Sequence, residues 1–127
     1  MTTSTNSKIS SFTQLKAWQE SHKIVLTTYG LTKTFPRDEV FGIISQMRRA
    51  AISISSNIAE GFSRNTKGEK QHFYGIAKGS LTELQNQFIV CRDLKYIKIE
   101  EFDNIAKQTI LADKLIYGLI YSSMNRS

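Results

Sequence analysis

One cysteine, one proline and two histidines in 127 residues leave little room for several kinds of protein. A lone Cys91 excludes an intramolecular disulfide framework, and its place among Leu84, Phe88 and Leu94 predicts a buried thiol kept reduced. Two histidines, His22 and His72, do not form the paired Glu-x-x-His motifs of a di-iron bundle, since only His72 follows a glutamate, Glu69, at that spacing. No apolar run approaches the roughly 20 residues that span a bilayer, and the N-terminus lacks the apolar core of a signal peptide. A cytoplasmic protein without membrane contact is expected. Strand-like alternation, internal repeats, a Gly-x-Ser-x-Gly elbow and a glycine-rich phosphate loop are also missing. With no nucleophile beside a base and no oxyanion donor set, a non-enzymatic protein without cofactor or metal is expected.

What the chain does contain is helical period. Residues 1–11 are rich in Ser, Thr and Asn, and read as a disordered tail ahead of one domain over 12–127. Leu15, Trp18, His22, Val25 and Tyr29 alternate three and four apart and predict a first helix over about 12–33. Pro36 interrupts that pattern and restarts a second helix, about 37–62, with Asp38 and Glu39 in its first turn. Val40, Ile44, Met47, Ala51, Ile54 and Ile58 form its apolar seam. Thr66 and Glu69 have capping-box spacing at the start of a third helix, about 67–95. Tyr74, Ala77, Leu81, Leu84, Phe88 and Cys91 line its apolar face. Gly75 and Gly79, one turn apart, predict close backbone approach there. A fourth helix, about 99–124, is apolar on more than one side between Leu111 and Ile120, which implies contact with a second subunit. Four helices with short connections predict an all-α, antiparallel up-down-up-down bundle.

The side of the second helix opposite its seam carries Gln46, Arg49, Ser53, Ser56 and Glu60. A face that meets only water is usually filled with Lys and Glu, so the serines predict a packed face. Arg49, Ser53, Asn57, Glu60, Ser80 and Glu83 are read as a polar cluster between helices or subunits. It either serves function or fixes helix register as a hydrogen-bond network. Adjacent Arg48 and Arg49 point about 100° apart and cannot grip one phosphate from one helix face, so each is expected to have its own task. Arg48 is expected to snorkel near Phe41 and the seam or to pair with a carboxylate, and Arg49 to lie on the Ser53 and Glu60 side. Glu60 and Glu83 could in principle hold a metal, as in a hydrolase, but no other ligand joins them.

Phe12-x-x-Leu15-x-x-Trp18, Phe35-Pro36, Gln46 to Ala51, Ser53 to Gly61 and Ala77-Lys-Gly79-Ser80-x-x-Glu83-Leu84 together resemble a known family. It comprises the four-helix-bundle proteins encoded in intervening sequences of bacterial 23S rRNA genes. The resemblance covers about 12–120 and is most specific over Arg48 to Gly61. Proteins of that family resemble in fold the accessory protein of diversity-generating retroelements, and both are known as basic, ring-shaped pentamers. The resemblance therefore implies a homopentamer associated with RNA. The set Arg48, Arg49, Ser53, Asn57, Glu60, Gly61, Gly79, Ser80 and Glu83 is read from the residues as a structural polar cluster or subunit interface. Ser55 stands where family members commonly carry proline, which predicts a straighter second helix.

Lys and Arg exceed Asp and Glu by 17 to 11, a net charge of +6, and the excess lies in the first and third quarters of the chain. Five copies would multiply that charge and strengthen salt-sensitive attraction to a polyanion. Lys16, Lys23, Lys33, Arg37, Arg64, Lys67 and Lys70 are the expected nucleic-acid contacts. Few aromatics lie off the packing faces, so backbone-driven binding of weak sequence preference is expected. The alternative is a scaffold that docks a partner protein, such as a polymerase, without touching nucleic acid.

Overall fold

The computed structural model describes residues 9–125. Four α-helices follow one another: α1 Lys16–Thr32, α2 Ser45–Ser63, α3 Lys67–Asp93 and α4 Ile99–Asn125. Short 3-10 turns at Phe12–Gln14 and Arg37–Glu39, and a π turn at Val40–Ile44, precede α1 and α2.

The first helix starts later than its apolar pattern predicts. The Ser11 hydroxyl accepts from the Thr13 amide, and the Gln14 side chain accepts from the Ser11 amide, closing a capping box around a single 3-10 turn. Leu15 is extended, so the α-helix begins only at Lys16. Residues 1–8 of the expected disordered tail lie outside the described residues. Ser10 and Ser11 are hydrogen-bonded to Gln14.

The buried face of α1 is also displaced from the expected one. Ala17, Glu20, Ser21, Ile24, Thr28 and Thr32 are buried, while Trp18, Val25 and Tyr29 flank that face and His22 is exposed, stacked on Trp18. Thr28 and Thr32 are compatible with burial on this face because their hydroxyls are satisfied within the helix, whereas the buried Ser21 hydroxyl has no hydrogen-bond partner among the described residues. Thr28 donates to the Ile24 carbonyl at 2.7 Å, and Thr32 to the Thr28 carbonyl at 2.8 Å.

Between α1 and α2 the chain does not form the continuous helix expected from residue 37. Gly42 is non-helical (φ −111°, ψ −117°), and regular geometry resumes at Ser45. Tyr96 donates to the Glu39 carboxylate at 2.7 Å, and the Tyr96 ring packs 5.1 Å from that of buried Phe35. These contacts pin the Phe35–Glu39 segment to the end of α3, so the backbone must bend before entering α2. Val40, expected on the seam, is exposed, and Phe41 is 96% exposed.

From Ile44 onward the seam is buried: Ile44, Met47, Ala51, Ile54 and Ile58 lie in the core, joined by Ala50 and Ser55. Helix α2 runs through Ser55 without a break. All six residues expected on the apolar face of α3 are buried. Thr66 caps α3 by accepting from the Glu69 amide; the Glu69 carboxylate accepts from the Thr66 hydroxyl rather than from the cap amide. The helix ends at Asp93, two residues early, because Lys95 has φ 64°. Tyr96 donates to the Cys91 carbonyl and Lys95 to the Arg92 carbonyl, a Schellman closure with lysine in the position glycine usually takes.

Contacts between helices set their directions. Met47 meets Cys91, Ser53 meets Ser80, and Gly61 meets Tyr74, so α2 and α3 run antiparallel. Lys78 meets Asp113 and Arg92 meets Phe102, which makes α3 and α4 antiparallel too. Helix α1 packs against both α2 and α4 and closes the four-helix bundle. Ile24, Met47, Ile54, Ile58, Leu81, Leu84, Ile105 and Ile116 fill its centre. No strand occurs among the described residues.

Candidate nucleic-acid interface

Phe35 is buried and Pro36 fixes the backbone beside it, so the residues on either side are held at the junction of α1 and α2. Lys33 leaves the end of α1, Arg37 opens the 3-10 turn, and Arg48 and Arg49 come from the first turns of α2. All four line one open cleft of about 580 Å³, whose wall contains no acidic residue. Tyr29, Val40, Ile44 and Ile52 supply apolar wall, and Thr32 and Ser45 supply hydroxyls.

Arg48 is held in place within this cleft. Its Nε donates to the Thr32 hydroxyl at 2.9 Å, its Nη2 points to the Tyr29 carbonyl at 3.5 Å, and its guanidinium lies 4.5 Å from the Tyr29 ring centroid. A cation at the C-terminal end of α1 is favoured by the helix dipole, and cation–π contact adds to it. Among the described residues Arg48 is thus in no ion pair with a carboxylate, and the ring it lies over is that of Tyr29 rather than Phe41. Arg49 is exposed one residue away. The two arginines diverge along α2, as their adjacency requires, yet the cleft is wide enough to be lined by both.

The seven lysines and arginines expected to contact nucleic acid do not form one surface. Lys33 and Arg37 are in the cleft. Lys16 and Lys23 flank Glu20 at 3.9 and 3.1 Å. Arg64 is paired with Glu60 and lies over the Phe73 ring. Lys70 donates to the Gly61 and Phe62 carbonyls at 3.2 and 2.9 Å, capping the C-terminus of α2. Lys67 is exposed at the start of α3.

The expected polar cluster is likewise divided. Ser53 and Ser80 share a 2.7 Å hydrogen bond across α2 and α3, and Asn57 donates to the Ser53 carbonyl and hydroxyl at 2.8 and 3.1 Å. Glu60 turns to Arg64, and Glu83 accepts from Gln87 at 3.4 Å. Among the described residues no group of three or more His, Cys, Asp or Glu is placed to hold a metal. The glycines reverse expectation. Gly75 and Gly79 face open space, whereas Gly61 is buried against the rings of Tyr74 and Phe73.

Sequence reading separated Arg48 and Arg49 from Lys33 and Arg37 because convergence across a turn leaves no periodic trace. The available signal was the clustering of cations around Phe35-Pro36. The Lys78–Asp113 ion pair, 2.7 Å between α3 and α4, had no sequence signal at all. Elsewhere, Ile110, Leu111, Tyr117, Tyr121 and Met124 leave an apolar, aromatic strip exposed along α4. No helix among the described residues is long and apolar enough to cross a membrane.

A bundle of this kind, with these motifs, defines a class that the comparisons make specific. The family model described as 23S rRNA-intervening sequence protein matches residues 13–118, and the chain belongs to that family. A solved structure, described as a protein of unknown function from the S23 ribosomal protein family of Bacteroides thetaiotaomicron VPI-5482, superposes with a TM-score of 0.76. It is 20% identical in sequence, and the alignment covers 83% of this chain and 95% of that one. At this identity the likeness establishes fold alone. Comparison with curated proteins finds no match.

Proposed function

We propose that this protein is a non-enzymatic, homo-oligomeric bundle that associates with RNA in the cytoplasm, chiefly through the phosphate backbone. The observation that carries this reading is the cleft lined by Lys33, Arg37, Arg48 and Arg49 without an opposing carboxylate. Unpaired cations gathered on one concavity favour a polyanion over ordinary solubility charge, which is dispersed and mixed in sign. The strip of Ile110, Leu111, Tyr117, Tyr121 and Met124 supports self-association, since apolar side chains in a row along a helix gain stability when covered. A homopentameric ring, as the family resemblance implies, would repeat the cleft around one assembly. The test is light scattering across a size-exclusion peak, together with RNA binding measured as salt is raised. A mass of five subunits and an affinity that falls steeply with salt support the reading. A monomer that does not bind RNA at low salt defeats it.

The same strip on α4 favours a second reading, in which it receives a partner protein such as a polymerase. Charge reversal at Arg37 and Arg49 separates the two, because it abolishes RNA association but leaves docking through α4 unchanged.

A further inference from the structure

We infer that the cleft between α1 and α2 receives one unpaired nucleotide of an RNA strand, the strand phosphates on either side of it on Arg37, Arg48 and Arg49 and its base against Val40 and Ile52. This rests on the RNA reading above and adds a substrate form to it. Three features of the cleft support the assignment. First, its volume of about 580 Å³ falls within the range of small-molecule sites, so it is a receptacle larger than an inorganic anion needs. Second, its wall combines four cations with apolar surface, the two chemistries that a nucleotide presents together. Third, one donor is already positioned. Arg48 spends Nε and Nη2 on Thr32 and Tyr29, while Nη1 has no hydrogen-bond partner among the described residues. Thr32, which accepts from Nε, is fully buried, so the guanidinium is anchored from beneath and loses little freedom when it meets a phosphate.

Asp38 and Glu39 are the nearest acids in sequence, and neither lines the cleft. Glu39 is held by the Tyr96 hydroxyl. A duplex is a convex rod whose bases are stacked inside, so it can offer its phosphates to the rim but cannot place a base in the concavity. A single strand or a bulge can. The inference therefore predicts discrimination by strandedness, which general electrostatic attraction does not.

The experiment uses the full-length protein and fluorescence anisotropy with a short labelled RNA, presented single-stranded and as a duplex at the same salt. Adenosine monophosphate, adenosine and inorganic phosphate serve as competitors. Arg37→Gln and Arg49→Gln are compared with Lys107→Gln, an exposed cation on α4 outside the cleft, with circular dichroism as the check of folding. Expected are tighter binding of the single strand and competition by the monophosphate that exceeds both adenosine and phosphate. Each cleft substitution weakens single-strand affinity roughly three- to tenfold, and Lys107→Gln leaves it unchanged. Single-strand affinity that survives both cleft substitutions overturns the inference while leaving RNA association standing. Phosphate competing as well as the monophosphate overturns the base subsite. Absence of affinity for any RNA at low salt overturns both the inference and the RNA reading.

Discussion

Gly61 on α2 lies against the ring of Tyr74 on α3 so closely that a Cβ at Gly61 would stand 2.6 Å from Tyr74 Cε1 and 2.8 Å from Cδ1. Tyr74 is itself buried and the Phe73 Cβ is 3.3 Å from the same point, so neither neighbour can yield without disturbing the core. Gly61→Ala is expected to destabilise the protein by about 1–3 kcal/mol, because overpacking outweighs the gain in helix propensity. Gly79→Ala, in open space on α3, is expected to stabilise by about 0.5–1 kcal/mol. Urea unfolding of the two variants checks both signs.

The Ser53–Ser80 hydrogen bond joins the same pair of helices half-way along their contact. Ser53→Leu places a larger side chain in that seam and is expected to cost about 1–3 kcal/mol. Glu60→Ala, which removes only an exposed pair with Arg64, is expected to stay within about 0.5 kcal/mol. A double-mutant cycle with Ser53→Ala and Ser80→Ala measures the coupling directly.

Burial, with a smaller contribution from the negative charge of Glu39, pushes the Cys91 thiol up to about 12. The native protein is expected to resist alkylating reagents that label it fully once unfolded. Because the folded value lies above the unfolded one, the neutral thiol's contribution to stability is complete below the ordinary thiol range. It is lost as pH rises from there towards 12. The stability difference between wild type and Cys91→Ala is therefore expected to shrink over that interval in urea titrations at successive pH values.

Lys70 caps α2 from the first turn of α3, whereas Lys67 is an exposed cation one turn earlier. Lys70→Gln is expected to lower stability by about 0.5–1 kcal/mol, and Lys67→Gln to leave it within about 0.5 kcal/mol. Thermal melts of the two variants distinguish a capping lysine from a solvated one.

The bundle was legible in the sequence where side-chain chemistry repeats with the helical period. Tyr74, Ala77, Leu81, Leu84, Phe88 and Cys91 could be placed on one face of α3, and Met47, Ala51, Ile54 and Ile58 on one face of α2, with Ile44 just ahead of it. The Thr66 cap was legible because its chemistry is local. The buried face of α1 was not, since Thr28 and Thr32 read as polar but silence their hydroxyls on the helix's own carbonyls.

By itself, then, the sequence determined the number of helices, the two most apolar faces and the basic balance, because these depend on period and composition. Tertiary structure alone decided which glycine is crowded, since Gly61, Gly75 and Gly79 differ only in what the facing helix presents. It also decided the break at Gly42, where contacts from Tyr96 to Glu39 and Phe35 override local helix propensity. Above all, it brought Lys33 and Arg37 into one cleft with Arg48 and Arg49. That convergence depends on the angle at which α1 leads into α2, a long-range property that no local pattern of residues encodes.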